Sequence, residues 1–155
     1  MVRGVWHFSF TVSDLERSLE FYCGLLGMKL VHRQEQDNPY TRKLVGYPDA
    51  SLRVAQLAID GAAPGASGHV LELVQYVAPV QPPHPAGTAF PNSAHMAFVV
   101  EDIQAGYHKL SSAGVRFRSE PVAITAGINR GGFTVYFLDP DGITLELVQP
   151  PVARL

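Results

Sequence analysis

The feature that most constrains the fold of this chain is an internal repeat of a strand followed by a helix. Residues 5–27 and 93–114 each read as an alternating strand, an acidic helix start and a helix that stops at glycine. A shift of 88 positions superposes His95 on His7. Self-similarity at a fixed offset is typical of a duplicated structural unit. We therefore expect two similar modules.

The helix in each repeat has recognisable ends. Ser13 and Glu16 have the spacing of a capping box and predict a helix that runs from there to Gly27. In the second repeat, Asp102 is the predicted start and Gly114 the predicted end.

Three strand candidates follow each helix, so the order strand, helix, strand, strand, strand occurs twice. The Asp-Pro-Asp-Gly sequence at 139–142 predicts a turn that joins the last two strands in a hairpin. Residues 37–50 contain further turn signals and are predicted to form a loop. The strand candidates lie near 29–33, 52–59 and 70–76 in the first half and near 115–124, 132–138 and 143–148 in the second.

The repeat and a concentration of prolines between its halves predict the organisation of the chain. We expect a first module over residues 1–78, a proline-rich linker over 79–92 and a second module over 93–155, which together make one structural domain.

Composition excludes several classes of protein. With 46% hydrophobic and 17% charged residues, the chain is not intrinsically disordered. A net charge of -2 without a basic block argues against a nucleic-acid partner. No apolar run is long enough to span a membrane, and no secretory signal is recognisable at the start. A single cysteine, Cys23, excludes an internal disulfide framework and predicts a cytoplasmic protein.

Strand alternation separates polar from apolar side chains in the first half. Trp6, Phe8 and Phe10 share one face of the first strand, which we expect to pack on a helix, and His7 lies on the opposite face. Glu72 interrupts the apolar last strand of this module in the same way.

The second half repeats this pattern, with His95 on its first strand and Glu146 on its last. The sequence Leu-Glu-Leu-Val-Gln surrounds both glutamates. A carboxylate in an apolar strand is costly to bury unpaired, and a divalent cation removes that cost. Any one of these residues alone is more often a solvated strand residue, so the argument depends on the symmetric quartet. The sequence predicts one divalent ion, Zn, Ni, Co, Mn or Fe, bound by His7, Glu72, His95 and Glu146.

Other titratable residues are weaker candidates. Cys23 is expected to be a small core residue inside the first helix. Arg130 precedes two glycines, where backbone can approach a ligand closely, and it is the substrate-binding candidate. The remaining histidines and cations are expected to lie at the surface or in unpatterned segments: His32, His69, His84 and His108, with Arg33, Arg42 and Lys43.

Two stretches resemble the vicinal oxygen chelate superfamily. One is Val-Trp-His-Phe-Ser-Phe-Thr-Val-Ser-Asp-Leu around His7, and the other is Tyr-Phe-Leu-Asp-Pro-Asp-Gly-Ile-Thr-Leu-Glu, which ends at Glu146. That superfamily includes glyoxalase I, methylmalonyl-CoA epimerase, extradiol dioxygenases, and fosfomycin and bleomycin resistance proteins. The resemblance implies an α+β fold of two βαβββ modules that form a curved mixed sheet around a metal-bearing cleft.

The resemblance also implies a function. In glyoxalase I-like members the metal ligands are His, Glu, His and Glu, and the matching positions here hold the predicted quartet. This implies a metal-dependent lyase or isomerase that acts on a small oxygen-chelating substrate by proton transfer through a metal-bound enediolate. Either Glu146 or Glu72 would carry the proton, and the sequence does not choose between them.

Two alternatives remain open. An extradiol-type ring-cleaving dioxygenase typically uses two histidines and one glutamate, and a metal-free small-molecule binding or resistance protein lacks the ligands. Thr11 and Tyr76 stand where bacterial glyoxalase I has an arginine and an asparagine that help to hold glutathione, which disfavours glutathione as the substrate. We expect a small-molecule substrate and a homodimer. The modules of one site come either from one chain or from two exchanged chains.

Overall fold

The structure is a computed structural model, and it describes residues 1–59, 70–83 and 87–151. The chain divides into two compact units, Met1–Pro83 and His84–Leu155. Each unit contains one four-stranded mixed sheet, which confirms the predicted α+β class. No helix among the described residues is long and apolar enough to cross a membrane.

The sheet of the first unit has the strand order β1-β4-β3-β2. Its first and last strands, β1 and β4, are parallel, and the other neighbours are antiparallel. A short α-helix, α1, continues into a π-helical segment before β2. The elements are β1 (His7–Thr11), α1 (Leu15–Leu19), the π-helical segment (Glu20–Leu25), β2 (Lys29–Gln36), α2 (Pro39–Val45), β3 (Ser51–Ala58) and β4 (Val70–Ala78).

The second unit repeats this topology, with the order β5-β8-β7-β6 and parallel pairing between β5 and β8. The antiparallel hairpin of β7 and β8 confirms the turn predicted at 139–142. The elements are β5 (His95–Val99), α3 (Ile103–Ser112), β6 (Val122–Ala123), β7 (Phe133–Leu138) and β8 (Thr144–Gln149).

The core of the first unit lies between α1 and the two inner strands. Leu15 and Tyr22 are fully buried, as are Leu71 and Leu73 on β4. Complete burial of one such side chain contributes about 1.5–3 kcal/mol. Because side chains alternate along β4, Glu72 between the two leucines lies on the opposite face of the sheet.

The prediction that the apolar face of β1 packs on a helix is wrong for two of its residues. Trp6 is 66% exposed and Phe8 is 52% exposed. Because β1 is the edge strand and α1 contacts β3 and β4, this end of the strand is left uncovered.

The N-cap of α1 is Asp14, so the predicted capping box at Ser13 is wrong. The Oδ1 atom of Asp14 accepts a hydrogen bond from the backbone N–H of Arg17 at 3.1 Å. Ser13 instead accepts one from the Arg17 guanidinium at 2.8 Å. Both residue types are good caps, so the pattern alone did not separate neighbouring positions. Gly27 has a left-handed φ of +78°, as expected after a helix end.

The loop predicted over residues 37–50 contains a helix, α2. The Asn38 side chain caps it by accepting from the N–H of Thr41 at 2.9 Å, and Pro39 is its first residue. We interpreted Asn-Pro as a turn signal, but the same pair is also the signature of an N-cap followed by proline at the first helical position.

In the second unit, α3 follows its N-cap Asp102 as predicted, and Gly114 adopts a left-handed φ after it. The strand predicted over 115–124 is not continuous: Phe117 pairs with Phe137 in an isolated bridge, and Val122–Ala123 form the short strand β6. The Ser119-Glu120-Pro121 sequence interrupts the segment, and proline cannot donate to a ladder.

The turn between β7 and β8 depends on one buried carboxylate. Asp139 is 2% exposed, and its Oδ1 accepts from the N–H groups of Asp141 at 2.9 Å and Ile143 at 2.7 Å.

We predict that Asp139→Ala lowers the free energy of unfolding by about 1–3 kcal/mol, because two turn N–H groups lose their acceptor. Urea denaturation measures this loss. The exposed carboxylate Glu101 provides the control, since Glu101→Ala should change stability by less than about 0.5 kcal/mol; equal losses would contradict the assignment.

Candidate metal centre

The first unit brings one predicted histidine and one predicted glutamate together. In the parallel pair of β1 and β4, Ser9 lies directly beside Glu72, and His7 is two residues earlier on the same face. The Nε2 atom of His7 is 3.6 Å from Oε1 of Glu72. The glutamate side chain is only 17% exposed and the histidine side chain 34%.

The second unit contains the equivalent pair. Ala97 lies beside Glu146 across β5 and β8, and His95 is two residues earlier. The Nε2 atom of His95 is 3.2 Å from Oε2 of Glu146, whose side chain is 16% exposed. The Tyr136 ring packs edge-on against the His95 ring, with centroids 5.3 Å apart.

The second oxygen of each glutamate accepts a hydrogen bond from a neutral side chain on the neighbouring strand. Gln56 lies directly opposite Glu72 in the β3–β4 pair, and its Nε2 donates to Oε2 of Glu72 at 3.2 Å. The hydroxyl of Thr134 on β7 donates to Oε1 of Glu146. We did not predict either donor from the sequence, although Gln56 is a polar interruption in the otherwise apolar segment Val-Ala-Gln-Leu-Ala.

The donor atoms of each unit fit half of a first-row metal site. Imidazole nitrogen and carboxylate oxygen bind such ions at about 2.0–2.2 Å. Two atoms at that distance from one ion, at octahedral or tetrahedral angles, lie about 2.8–3.6 Å apart. The observed separations of 3.2 and 3.6 Å agree with this range. Within either unit, the described residues contain no group of three or more His, Cys, Asp or Glu side chains that could hold an ion.

One ring nitrogen of His7, Nδ1, is buried without a hydrogen-bond partner in the described part of the chain. A metal-bound imidazole usually donates its other N–H to an acceptor, which fixes the orientation of the ring. His7 therefore lacks one support that metal-ligating histidines normally have.

Two tyrosines flank the glutamates. Tyr76 is four residues beyond Glu72 on the same face of β4, and its ring packs edge-on against Tyr47 at 6.0 Å. Burial, and secondarily Tyr47, raises the pKa of Tyr76. Burial, and secondarily Glu146, raises the pKa of Tyr136. Both phenols are therefore protonated at neutral pH and can donate a hydrogen bond.

The cations named in the sequence analysis do not form one cluster. Arg33 pairs with Glu16, and this contact raises the pKa of Arg33. Arg42 pairs with Asp37. Both pairs are partly exposed. Lys43 is exposed on α2.

Arg130 lies exposed between β6 and β7, before Gly131 with its φ of +92°. Its assignment to substrate binding stays a prediction.

The remaining candidates stay outside the two pairs. Cys23 is half-buried, and burial raises the pKa of its thiol against smaller opposing effects of the Leu30 backbone and Lys29. A thiol with a raised pKa is a poor nucleophile. His32 and His108 are exposed on β2 and α3, and His69 and His84 lie outside the described residues.

Each unit consists of a strand, a helical segment and three further strands, and each has a histidine–glutamate pair between its two parallel strands. This duplicated α+β arrangement is typical of vicinal oxygen chelate proteins. A family model of the Glyoxalase/Bleomycin resistance protein/Dioxygenase superfamily matches residues 4–147. The chain belongs to this superfamily, which confirms the predicted resemblance.

The similar proteins include an epimerase and lactoylglutathione lyases. A 2-epi-5-epi-valiolone epimerase from Actinomyces is 33% identical over 151 residues, which cover 95% of this chain and 79% of the relative. A probable lactoylglutathione lyase from Vibrio parahaemolyticus is 32% identical over 148 residues, which cover 94% of this chain and 89% of the relative.

Solved structures share the fold. A glyoxalase family protein from Bacillus cereus superposes with a TM-score of 0.81 at 18% identity, covering 97% of this chain and 96% of the other. The trypanothione-dependent glyoxalase I of Leishmania major gives a TM-score of 0.66 at 26% identity, covering 96% and 87%.

Proposed function

We propose that this protein is a metal-dependent lyase or isomerase that moves a proton at a carbon next to a carbonyl group. Its substrate is a small molecule that offers two neighbouring oxygens. The observation that carries the proposal is the repeated pair, in which one carboxylate oxygen faces an imidazole Nε2 at 3.2 or 3.6 Å in each unit. The names of the relatives, an epimerase and lactoylglutathione lyases, support this class of reaction.

The proposed cofactor is one divalent ion, Zn, Ni, Co, Mn or Fe, held by His7, Glu72, His95 and Glu146. When bound, such an ion polarises a carbonyl oxygen and stabilises the negative charge that develops as the neighbouring C–H bond breaks. Neutral imidazole and carboxylate are ligands that these ions accept. Two carboxylates compensate the charge of a divalent ion, which supports a site with both glutamates ionised.

A glutamate of the quartet carries the proton in this proposal. Glu72 and Glu146 each have one carboxylate oxygen that faces a histidine, and both side chains are less than one-fifth exposed. Partial exclusion of water strengthens hydrogen bonds and charge interactions with a substrate. General acid–base groups of this kind contribute about 10²–10⁴-fold to rate.

Two side chains of the first unit disfavour glutathione as part of the proposed substrate. Thr11 is exposed at the end of β1, and Tyr76 packs against Tyr47. These neutral side chains stand where the resemblance to bacterial glyoxalase I expects an arginine and an asparagine. A thermal-shift screen with thiohemiacetals, acyl-CoA esters and catechols would identify the substrate class.

The proposed assembly is a homodimer. Each unit has its first strand at the edge of its sheet, and exposed apolar side chains lie on these strands or directly before them. Trp6, Phe8 and Val99 are 66%, 52% and 69% exposed. Exposed apolar side chains beside a sheet edge are typical of surfaces that a second chain covers.

We predict that sedimentation velocity gives about twice the chain mass of 16.9 kDa. The double variant Trp6→Ser/Phe8→Ser should shift the protein toward monomer, because the apolar area that drives association is lost. Tyr40→Ser provides the control, since Tyr40 is an aromatic residue of similar exposure, 68%, that lies on α2 and not on a first strand. A wild-type monomer at micromolar concentration would contradict the proposed dimer.

Metal content tests the proposed cofactor. Protein purified without chelator should contain stoichiometric first-row metal. His95→Ala should lose it, because the substitution removes one proposed ligand and its contact with Glu146. Elemental analysis measures both. His108→Ala, at an exposed helical histidine, should retain the metal. Full retention by His95→Ala would show that His95 is not a ligand.

Proton exchange tests the proposed reaction. In deuterated water with metal present, the substrate should exchange the hydrogen next to its carbonyl, and Glu146→Gln should slow the exchange by about 10²–10⁴-fold. NMR follows the exchange, and metal content of the variant is measured in parallel so that loss of the ion is separated from loss of the base. Oxygen-dependent cleavage of a catechol by the iron form, without any such exchange, would support the dioxygenase instead.

A further inference from the structure

In both glutamates of the candidate site, one carboxylate oxygen faces a histidine and the other accepts a hydrogen bond from a neutral side chain. In Glu72, Oε1 faces Nε2 of His7 while Oε2 accepts from the Gln56 amide at 3.2 Å. In Glu146, Oε2 faces Nε2 of His95 while Oε1 accepts from the Thr134 hydroxyl. The two donors occupy non-equivalent positions on their strands, since Gln56 lies directly opposite its glutamate while Thr134 lies opposite Val148. The same arrangement is therefore reached by two different residue types from two different positions.

The neutrality of these donors is chemically important. A lysine or arginine in either position would compensate the carboxylate charge and oppose the binding of a cation. An amide or hydroxyl donor orients the carboxylate and leaves its charge available. Thr134 Oγ1 also lies 3.1 Å from the carbonyl oxygen of Leu147. Because a hydroxyl has one proton and a carboxylate is the stronger acceptor, the proton goes to Glu146.

Orientation before binding has an energetic consequence. A glutamate side chain has three rotatable bonds, and fixing it costs free energy that otherwise reduces the affinity for a ligand. A group already held in its binding orientation avoids most of that cost on binding. Hydrogen bonds to metal-ligating carboxylates typically affect metal affinity by 10–100-fold when they are removed.

We propose that Gln56 and Thr134 are positioning residues. Each donates a hydrogen bond to one oxygen of a glutamate, so that the other oxygen of that glutamate stays beside its histidine. They touch neither substrate nor ion and act only through Glu72 and Glu146. This inference rests on the proposed metal site, and it adds the residues that prepare that site for an ion.

The test measures the binding of Co²⁺ to the full-length protein by competition with a chromogenic chelator. Gln56→Leu and Thr134→Val each remove one donor with little change in volume, and each should weaken binding by about 10–100-fold. Thr134→Ser keeps the hydroxyl and should restore affinity close to that of the wild type. The visible absorption of the cobalt-loaded Leu and Val variants should also change, because the carboxylate is free to reorient at the ion.

Gln34→Leu is the matched control, since Gln34 lies on β2 opposite Val54 and not opposite a glutamate. It should bind cobalt as the wild type does. Thermal unfolding of the metal-free proteins should give similar midpoints. If Gln56→Leu proves unstable, the difference in cobalt affinity between Thr134→Ser and Thr134→Val still measures the effect of the hydroxyl.

The outcomes separate this inference from the proposed function. Wild-type binding with unchanged affinity in Thr134→Val and Gln56→Leu would overturn the positioning role and leave the metal site standing. Equal weakening by Gln34→Leu would also overturn it. A wild-type protein that binds no cobalt would overturn the metal site and this inference together.

Discussion

The parallel pairing of the first and last strands in each unit is the constraint on which the candidate site depends. The parallel register sets Ser9 beside Glu72 and Ala97 beside Glu146. His7 and His95 lie two residues before Ser9 and Ala97, so each histidine shares a face of the sheet with its glutamate. A slip of one residue in β4 or β8 would turn the glutamate to the opposite face of the sheet. The buried leucines that flank each glutamate oppose such a slip, because it would expose them. Core packing on one face therefore maintains the geometry of the polar face.

The positions of the histidines and glutamates were predictable from the sequence because alternation in a strand is strict. His7 lies opposite the apolar face of its strand, and Glu72 interrupts an apolar strand, where a carboxylate needs a specific partner. The donors Gln56 and Thr134 were not predictable in the same way. Their roles depend on which residue of a neighbouring strand lies within reach, and that register is a tertiary property.

The errors in the predicted fold also have local physical causes. The Asn38-Pro39 pair stabilises both turns and helix starts, so the helix α2 was not separable from a loop. The apolar face of β1 was expected to be covered, but Trp6 and Phe8 extend beyond the helix because the strand lies at the edge of its sheet. Alternation tells which side chains share a face, but it does not tell what covers that face.

The duplicated halves are not chemically equivalent, and the difference bears on which glutamate carries the proton in the proposed reaction. The Gln56 side chain donates to Glu72 through its NH2 group, and it can accept from a protonated Glu72 only through its oxygen, after the whole amide turns. The Thr134 hydroxyl can donate to Glu146 or accept from it, with the Leu147 carbonyl as the alternative acceptor for its own proton. The Thr134 hydroxyl therefore changes from donor to acceptor by rotation of its O–H bond alone, whereas the Gln56 amide has to turn as a whole. This asymmetry favours Glu146 as the base and Glu72 as the constant ligand within the proposed mechanism.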